Sequence, residues 1–270
     1  MIKHLLFVIC CVLPMSASAD SVIDWGQVLE GEHRVEKNVA RDIYRHPRET
    51  LDFFEVTPDL TVVEIWPGGG GWYTEILAPL LRSHGKLIAA HFSADSNVQY
   101  FRKSLTSYQQ KLAVHPEVYD QVMFSIFQPP EQLNIAPAGP VDRVLTFRNV
   151  HNWMKHGSAE EAFTAFFNAL KPGGILGVVE HRAKPGTDWN NMILSGYVTE
   201  QTVKKLAEKA GFTFVAASEI NANKKDGTLH PKGVWTLPPS LRLGDERRQH
   251  YLSIGESDRM TLKFIKPADE

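Results

Sequence analysis

The stretch that most constrains the fold is Val62 to Leu81, V-V-E-I-W-P-G-G-G-G-W-Y-T-E-I-L-A-P-L-L. Val62, Val63 and Ile65 form an apolar run without alternation, the pattern of a parallel strand covered on both faces. Gly68 to Gly71 then allow a tight turn and close approach of backbone amides to a ligand. Beyond them Tyr73, Ile76, Leu77, Leu80 and Leu81 recur at helical spacing, the apolar stripe of an amphipathic helix. Strand, glycine turn and helix predict the first βα unit of a nucleotide-binding α/β domain.

A helix start and unpaired turn amides attract a carboxylate or phosphate. Glu64, at the strand's end, is placed to accept hydrogen bonds from a ligand ammonium or from turn amides. Read alone, the turn is equally compatible with a plain connection. The dinucleotide fingerprint G-x-G-x-x-G does not fit, because Tyr73 stands where Gly68 and Gly70 call for a third glycine. Hydride transfer with NAD therefore ranks below other uses of such a turn.

The stretch resembles the first motif of the class I S-adenosylmethionine-dependent methyltransferases, acid-x-G-x-G-x-G, here Glu64-Ile65-Trp66-Pro67-Gly68-Gly69-Gly70. Trp66 occupies the place of the family's first glycine. The resemblance implies S-adenosylmethionine as cofactor, held around Glu64, Trp66, Gly68, Gly69 and Gly70. It also implies an α/β fold: a Rossmann-like, doubly wound, mostly parallel seven-stranded sheet with an antiparallel last strand.

Further landmarks follow in the family's order. Lys86 to Phe92 reads as the second strand, whose end should carry an acid for the ribose hydroxyls about twenty residues past the glycines. His91 holds that place, and Asp95 is the nearest acid beyond it. Gln121 to Phe127 reads as a third strand and Val141 to Phe147 as a fourth. After it comes R-N-V-H-N-W-M, Arg148 to Met154. In the family this segment lines the cleft with its backbone near the methionine part of the cofactor, which places Arg148 and Asn149 beside the cofactor and lets the polar side chains of Arg148, Asn149, His151 and Asn152 address a substrate. The turn L-K-P-G-G, Leu170 to Gly174, resembles the signature before the fifth strand, Ile175 to Val179. Phe212 to Ala217 and Arg259 to Ile265 supply a terminal hairpin, with an insertion at about 221–257 placed at the substrate mouth.

The reaction the resemblance implies is transfer of a sulfonium methyl group to a small-molecule acceptor, driven mainly by alignment of the reactants. His151, Glu180 and His181 are the candidate catalytic bases. His151 is favoured because imidazole titrates near neutrality. His46, His91, His151 and His181 show no helical ligand spacing such as H-E-x-x-H, so no metal site is predicted.

Met1 to Ala19 reads as an export signal: Lys3 and His4, then the apolar run Leu5 to Leu13, then Ala17-Ser18-Ala19 before Asp20. Cleavage there implies a periplasmic chain without cysteine, since Cys10 and Cys11 both lie in the leader. The run is far short of the ~20 residues that span a bilayer, so no stable membrane insertion of the mature chain is expected. Removing Lys3 leaves 28 basic against 31 acidic residues, which gives no basis for affinity to nucleic acid. The expected layout is thus a leader (1–19), a helical lead-in (20–58) and a methyltransferase domain (59–270). The resemblance includes exported bacterial proteins described only as predicted methyltransferases. The alternative reading is an exported, non-catalytic ligand-binding protein on the same scaffold, motivated by Trp66, by His91 and by a cofactor that is made in the cytosol.

Four local expectations complete the reading. Val35, Val39 and Ile43 should form the buried face of the lead-in, with Arg41, Asp42, Arg45 and His46 on a solvated face. Pro79 should kink the first core helix and free the Glu75 carbonyl. Ser158 and Glu161 should form a capping box. Ala183 to Tyr197 should lie over the substrate as a lid.

Overall fold

The computed structural model describes residues 23–136 and 139–268. The leader, with Cys10 and Cys11, lies outside the described residues. Among the described residues there are eight strands: β1 (Thr61–Ile65), β2 (Lys86–His91), β3 (Met123–Ile126), β4 (Val141–Phe147), β5 (Leu170–His181), β6 (Thr213–Ser218), β7 (Pro231–Val234) and β8 (Arg259–Ile265). Seven of them form one sheet in the order β3-β2-β1-β4-β5-β8-β6. The pairs β3-β2, β2-β1, β1-β4 and β4-β5 are parallel. β8 inserts between β5 and β6 and runs antiparallel to both. This is the seven-stranded, mostly parallel sheet with an antiparallel last strand that the sequence leads one to expect.

Both faces of the sheet are covered, as an apolar strand without alternation requires. Val63, Ile65, Val144 and Leu176 pack against Phe163 and Phe166 of the helix Ala159–Ala169. Val62 and Leu145 face the other way, against Ile76 and Leu77 of the helix Thr74–Leu81 and Leu51 and Phe54 of the lead-in. A Cβ at Gly177 of β5 would come within 2.8 Å of Phe54 and Leu145. Glycine there lets the lead-in lie directly on the sheet. No helix among the described residues is long and apolar enough to cross a membrane.

The lead-in is helical but inverted relative to the expectation. Its short helices are Trp25–Leu29, Glu36–Val39, Asp42–Arg45 and Pro47–Phe53. Ile43 is 70% exposed and Val35 and Val39 are also exposed, whereas Arg34, Asn38 and Arg45 are buried. Two physical causes act together. The chain breaks between Val39 and Asp42, so the apolar positions never align as one stripe. Two buried carboxylates, Glu75 and Glu256, also draw polar partners inward: Asn38 donates to Glu75 Oε1 at 2.9 Å, and Arg45 donates to Glu256.

Pro79 does lie inside the helix Thr74–Leu81. The carbonyl of Glu75, which it deprives of a helical donor, is met by His33 Nε2 at 2.8 Å. Thr199 caps its helix through Thr202 N–H, as expected, but Ser158 makes no side-chain cap bond. Its backbone (φ −120°, ψ 21°) follows the left-handed Gly157 and is not the extended conformation that aims a cap hydroxyl at the helix.

Candidate active site

The strand order reverses between β1 and β4, and open α/β sheets bind ligands outside the carboxyl ends of the strands at such a point. A cleft of about 1010 Å³ opens there. One wall comes from the turns after β1 and β2 and from the aromatic residues Phe92, Phe101 and Trp66. The other comes from the segment after β4, from His181 at the end of β5, and from Trp235 and Pro238 of the excursion between β6 and β8. The helix Trp189–Ser195, within the segment expected to form a lid, contributes Ile193 and Leu194.

Gly68 lines the cleft with φ +71°, and a Cβ added there would meet nothing within 4 Å. The turn therefore presents bare backbone to the cleft at this point. Gly69 and Gly70 do not line it. A Cβ at Gly69 would sit 3.1 Å from Ser107, so Gly69 serves the packing of the following helix against Gln99–Val114.

Trp66 also takes a left-handed backbone, φ +48°, which a bulky residue rarely adopts. Its indole donates to the Phe127 carbonyl at 2.7 Å and packs against Phe92 and Trp153, with ring centroids at 4.7 and 5.3 Å. A fixed aromatic plane thus stands where the resembling family has a bare glycine.

Glu64 lies beneath the turn, away from the cleft wall. It is buried and accepts from Thr74 Oγ1 at 2.6 Å, and no turn amide among the described residues donates to it. Burial pushes its carboxyl up to about 8, against the Thr74 bond, which acts the other way. His91 is similarly enclosed. It is 1% exposed, its Nδ1 accepts from Phe92 N–H, and its Nε2 is buried near the Gly68 backbone with no hydrogen bond of good geometry among the described residues. Burial lowers its pKa to about 4, so it is a neutral packing residue at the strand's end. Asp95 is exposed and outside the cleft lining. The expectation for both is corrected: buried His91 has no acceptor open to the cleft, and Asp95, whose carboxylate has the two acceptor oxygens a ribose diol calls for, lies outside the cleft lining.

The segment after β4 behaves differently. Arg148 has φ +64° and its amide donates to Val179 O at 2.7 Å, which turns the chain out of the sheet and into the cleft. Asn149 ties that turn to β1 by donating to the Ile65 carbonyl at 3.0 Å. Both line the cleft. The next residues carry its most reactive arrangement. Glu180 is fully buried at the end of β5 and accepts from His151 N–H at 3.3 Å and His181 N–H at 2.7 Å, while its Oε1 lies 3.2 Å from His151 Nδ1. With Nδ1 committed to the carboxylate, His151 keeps Nε2 for the cleft. His181 Nδ1 bonds Ser257 Oγ at 2.6 Å. Burial, then the neighbouring His151 and Arg148, hold the His181 pKa well below its ordinary value.

His151, His181 and Glu180 bring ligand-type atoms within 4.8 Å of one another, a grouping that spacing along the chain did not reveal. Apart from Trp66, the aromatic residues of the walls (Phe92, Phe101 and Trp235) and the buried arginines described below escape the sequence reading. Trp235, within a turn-rich insertion, was the available signal for the first. The run Arg41 to Arg45 was the signal for the second.

No family model and no curated protein matches the chain. Solved structures do. A SAM-dependent methyltransferase from Aquifex aeolicus aligns with TM-score 0.51 at 15% identity, over 67% of this chain and 87% of its own. The N-methyltransferase NodS from Bradyrhizobium japonicum WM9 gives 0.51 at 13%, over 83% and 95%. The [4+2]-cyclase SpnF gives 0.56 at 13%, over 89% and 86%. At these identities the likeness is one of fold, and the chain has the Rossmann-like methyltransferase fold.

Proposed function

We propose that the protein is an S-adenosylmethionine-dependent methyltransferase acting on a small-molecule acceptor, in a chain exported by its leader. One observation carries the reading: a single cleft at the reversal point joins a bare glycine turn and an aromatic wall to a carboxylate-oriented histidine. Gly68 is the residue that lets backbone approach the cofactor, Phe92 and Phe101 supply flat apolar surface for its base, and Arg148 and Asn149 border its methionine part. When bound, the cofactor supplies an electrophilic methyl group on a sulfonium.

The chain's own residues do the rest. The cleft walls align the acceptor with that group, and alignment is the main contribution to such a displacement. His151 Nε2 takes the acceptor's proton, and Glu180 fixes the tautomer and orientation that make this nitrogen available. Glu180 is a positioning residue, since its oxygens are already engaged and it has no exposed surface. His181 borders the same space as a neutral donor or acceptor.

The second reading is a non-catalytic ligand-binding protein on this scaffold. It is favoured by Trp66, whose ring fills space at the first-glycine position, and by the absence of a ribose acceptor at His91. That a cyclase shares the fold agrees with the general rule that fold alone does not fix chemistry.

Calorimetric titration of the chain from Asp20 onward with S-adenosylmethionine and S-adenosylhomocysteine, with NAD as control, tests the first reading. Binding of both sulfur compounds, lost in Gly68→Val, is expected. No binding of either would remove the methyltransferase reading and put the binding protein in its place.

A further inference from the structure

Behind Arg148 lies a cluster of charge that methyl transfer as described leaves unused. Glu256, just before β8, accepts from Arg41 Nε at 2.5 Å, from Arg45 Nε at 3.3 Å and from Arg259 Nη2 at 2.8 Å. Arg148 acts on the same carboxylate through its charge. Three guanidinium groups thus share one carboxylate and Arg148 adds its charge nearby, so four positive charges face one negative. The cluster is not a surface feature. Arg45 is 1% exposed, Arg259 2% and Glu256 4%. Both terminal nitrogens of Arg45 and Nη2 of Arg41 are buried with no hydrogen-bond partner among the described residues.

Buried charges are ordinarily paired, and an unpaired buried guanidinium is strongly unfavourable. Arg45 is partly relieved by lying 4.6 Å over the Trp72 ring. That contact leaves its donors unmet. Arg148 itself makes no side-chain hydrogen bond among the described residues, lines the cleft, and is held there by a left-handed backbone. Strain of that kind, kept by the surrounding structure, is typical of residues that address a ligand. Among the described residues that line the cleft the acid is Glu131, in the turn after β3, and His181 lies near enough to Arg148 to feel its charge.

We propose that this cluster is an oxyanion-binding subsite at the floor of the cleft, which selects a small substrate bearing a carboxylate or phosphate. Arg148 is the contact residue. Its planar fork matches either group. Arg45, Arg259 and Arg41 stand behind it and supply uncompensated positive potential, which low-dielectric walls concentrate on the cleft. Glu256 holds the three together so that their mutual repulsion does not disperse them. The assignment of the ligand as methyl acceptor rests on the proposed function, while the oxyanion site itself does not.

The test is calorimetric titration of the purified protein with inorganic phosphate and, separately, with malonate, at constant ionic strength against chloride. Saturable binding of one or both is expected, weakened at least tenfold in Arg148→Gln. That variant removes the cleft contact and no bond to Glu256, so its fold should stand, and its melting profile checks this. Glu256-retaining Arg45→Met should weaken binding as well. Comparison of phosphate with malonate says which anion the fork prefers. Absence of saturable binding of both, or binding unchanged in Arg148→Gln, would overturn the proposal. Repeating the titration with S-adenosylhomocysteine present separates the two claims. Anion binding that persists assigns the subsite to the acceptor, and anion binding that is abolished overturns that assignment. If S-adenosylhomocysteine itself does not bind while the anions do, the cofactor reading fails and the oxyanion site stands.

Discussion

Glu180 grips His151 at two points, accepting from its backbone N–H at 3.3 Å and facing its ring Nδ1 at 3.2 Å. One carboxylate at the end of β5 thereby sets both the place and the tautomer of a residue that begins the helix after β4. Glu180→Gln keeps the volume and loses the charge. Turnover of cofactor in the presence of an accepted substrate should fall by roughly 100-fold, the scale of a misoriented general base. Affinity for S-adenosylhomocysteine should stay within about twofold. Equal loss of both would mean that Glu180 shapes the cleft as a whole.

Glu64 gives the fold a pH dependence of known sign. Its carboxyl titrates near 8 in the folded chain and near the ordinary 4.5 when unfolded, so between these values the folded state holds the extra proton. Stability should therefore decline as pH rises from about 4.5 to about 8 and level off beyond, by an amount on the order of a few kcal/mol. Urea unfolding of Glu64→Gln across that range should show a markedly flatter profile than the parent chain.

Trp66 couples stability to cleft shape. Trp66→Ala removes four aromatic contacts and the bond to Phe127, at a cost of about 3–5 kcal/mol for a large aromatic deletion. Trp66→Gly loses the same contacts but relieves the φ +48° backbone, a gain of roughly 1 kcal/mol. The glycine variant should melt above the alanine variant. The reverse order would show that the left-handed backbone there carries no strain.

His33 supplies the donor that Pro79 removes from the helix Thr74–Leu81. His33→Ala leaves the Glu75 carbonyl half-buried and unpaired, which should lower unfolding free energy by about 1–2 kcal/mol. Replacing Pro79 by Ala in the same background restores a backbone donor and should recover most of the loss. Denaturant titration of the two single variants and the double variant measures that coupling.

These relationships divide by how far apart in sequence their partners lie. β1, the glycine turn, β4 and the approach to β5 were legible because each is a local pattern of apolar runs and turn residues. The cleft was legible in outline for the same reason, since strand ends in an open sheet converge by topology. What escaped was tertiary and polar. Nothing local in A-R-D-I-Y-R says that Arg45 turns inward, because its reason is Glu256, more than two hundred residues away. The lead-in was misread because amphipathic periodicity assumes one continuous helix, and Ala40-Arg41 interrupts it. His91 stood at the expected place for a ribose contact, but burial, which a single sequence does not display, removed it from the cleft. His151 and Glu180 were each identified, yet their pairing rests on the β4-β5 register.

The excursion between β6 and β8 is fastened where it leaves and rejoins the sheet. Asn221 bonds Thr50 and Thr261, Asn223 bonds the carbonyls of Ile254 and Glu256, and Asp226 accepts from Asp258 N–H. Beyond that neck, Trp235, Pro238 and Arg242 reach the mouth of the cleft. Such a neck makes the excursion a cassette: its tip can be exchanged to present a different opening to solvent while the strands below keep their pairing. The shape of the opening and the integrity of the domain can thus change independently, and the excursion is where a library aimed at new ligands should be built.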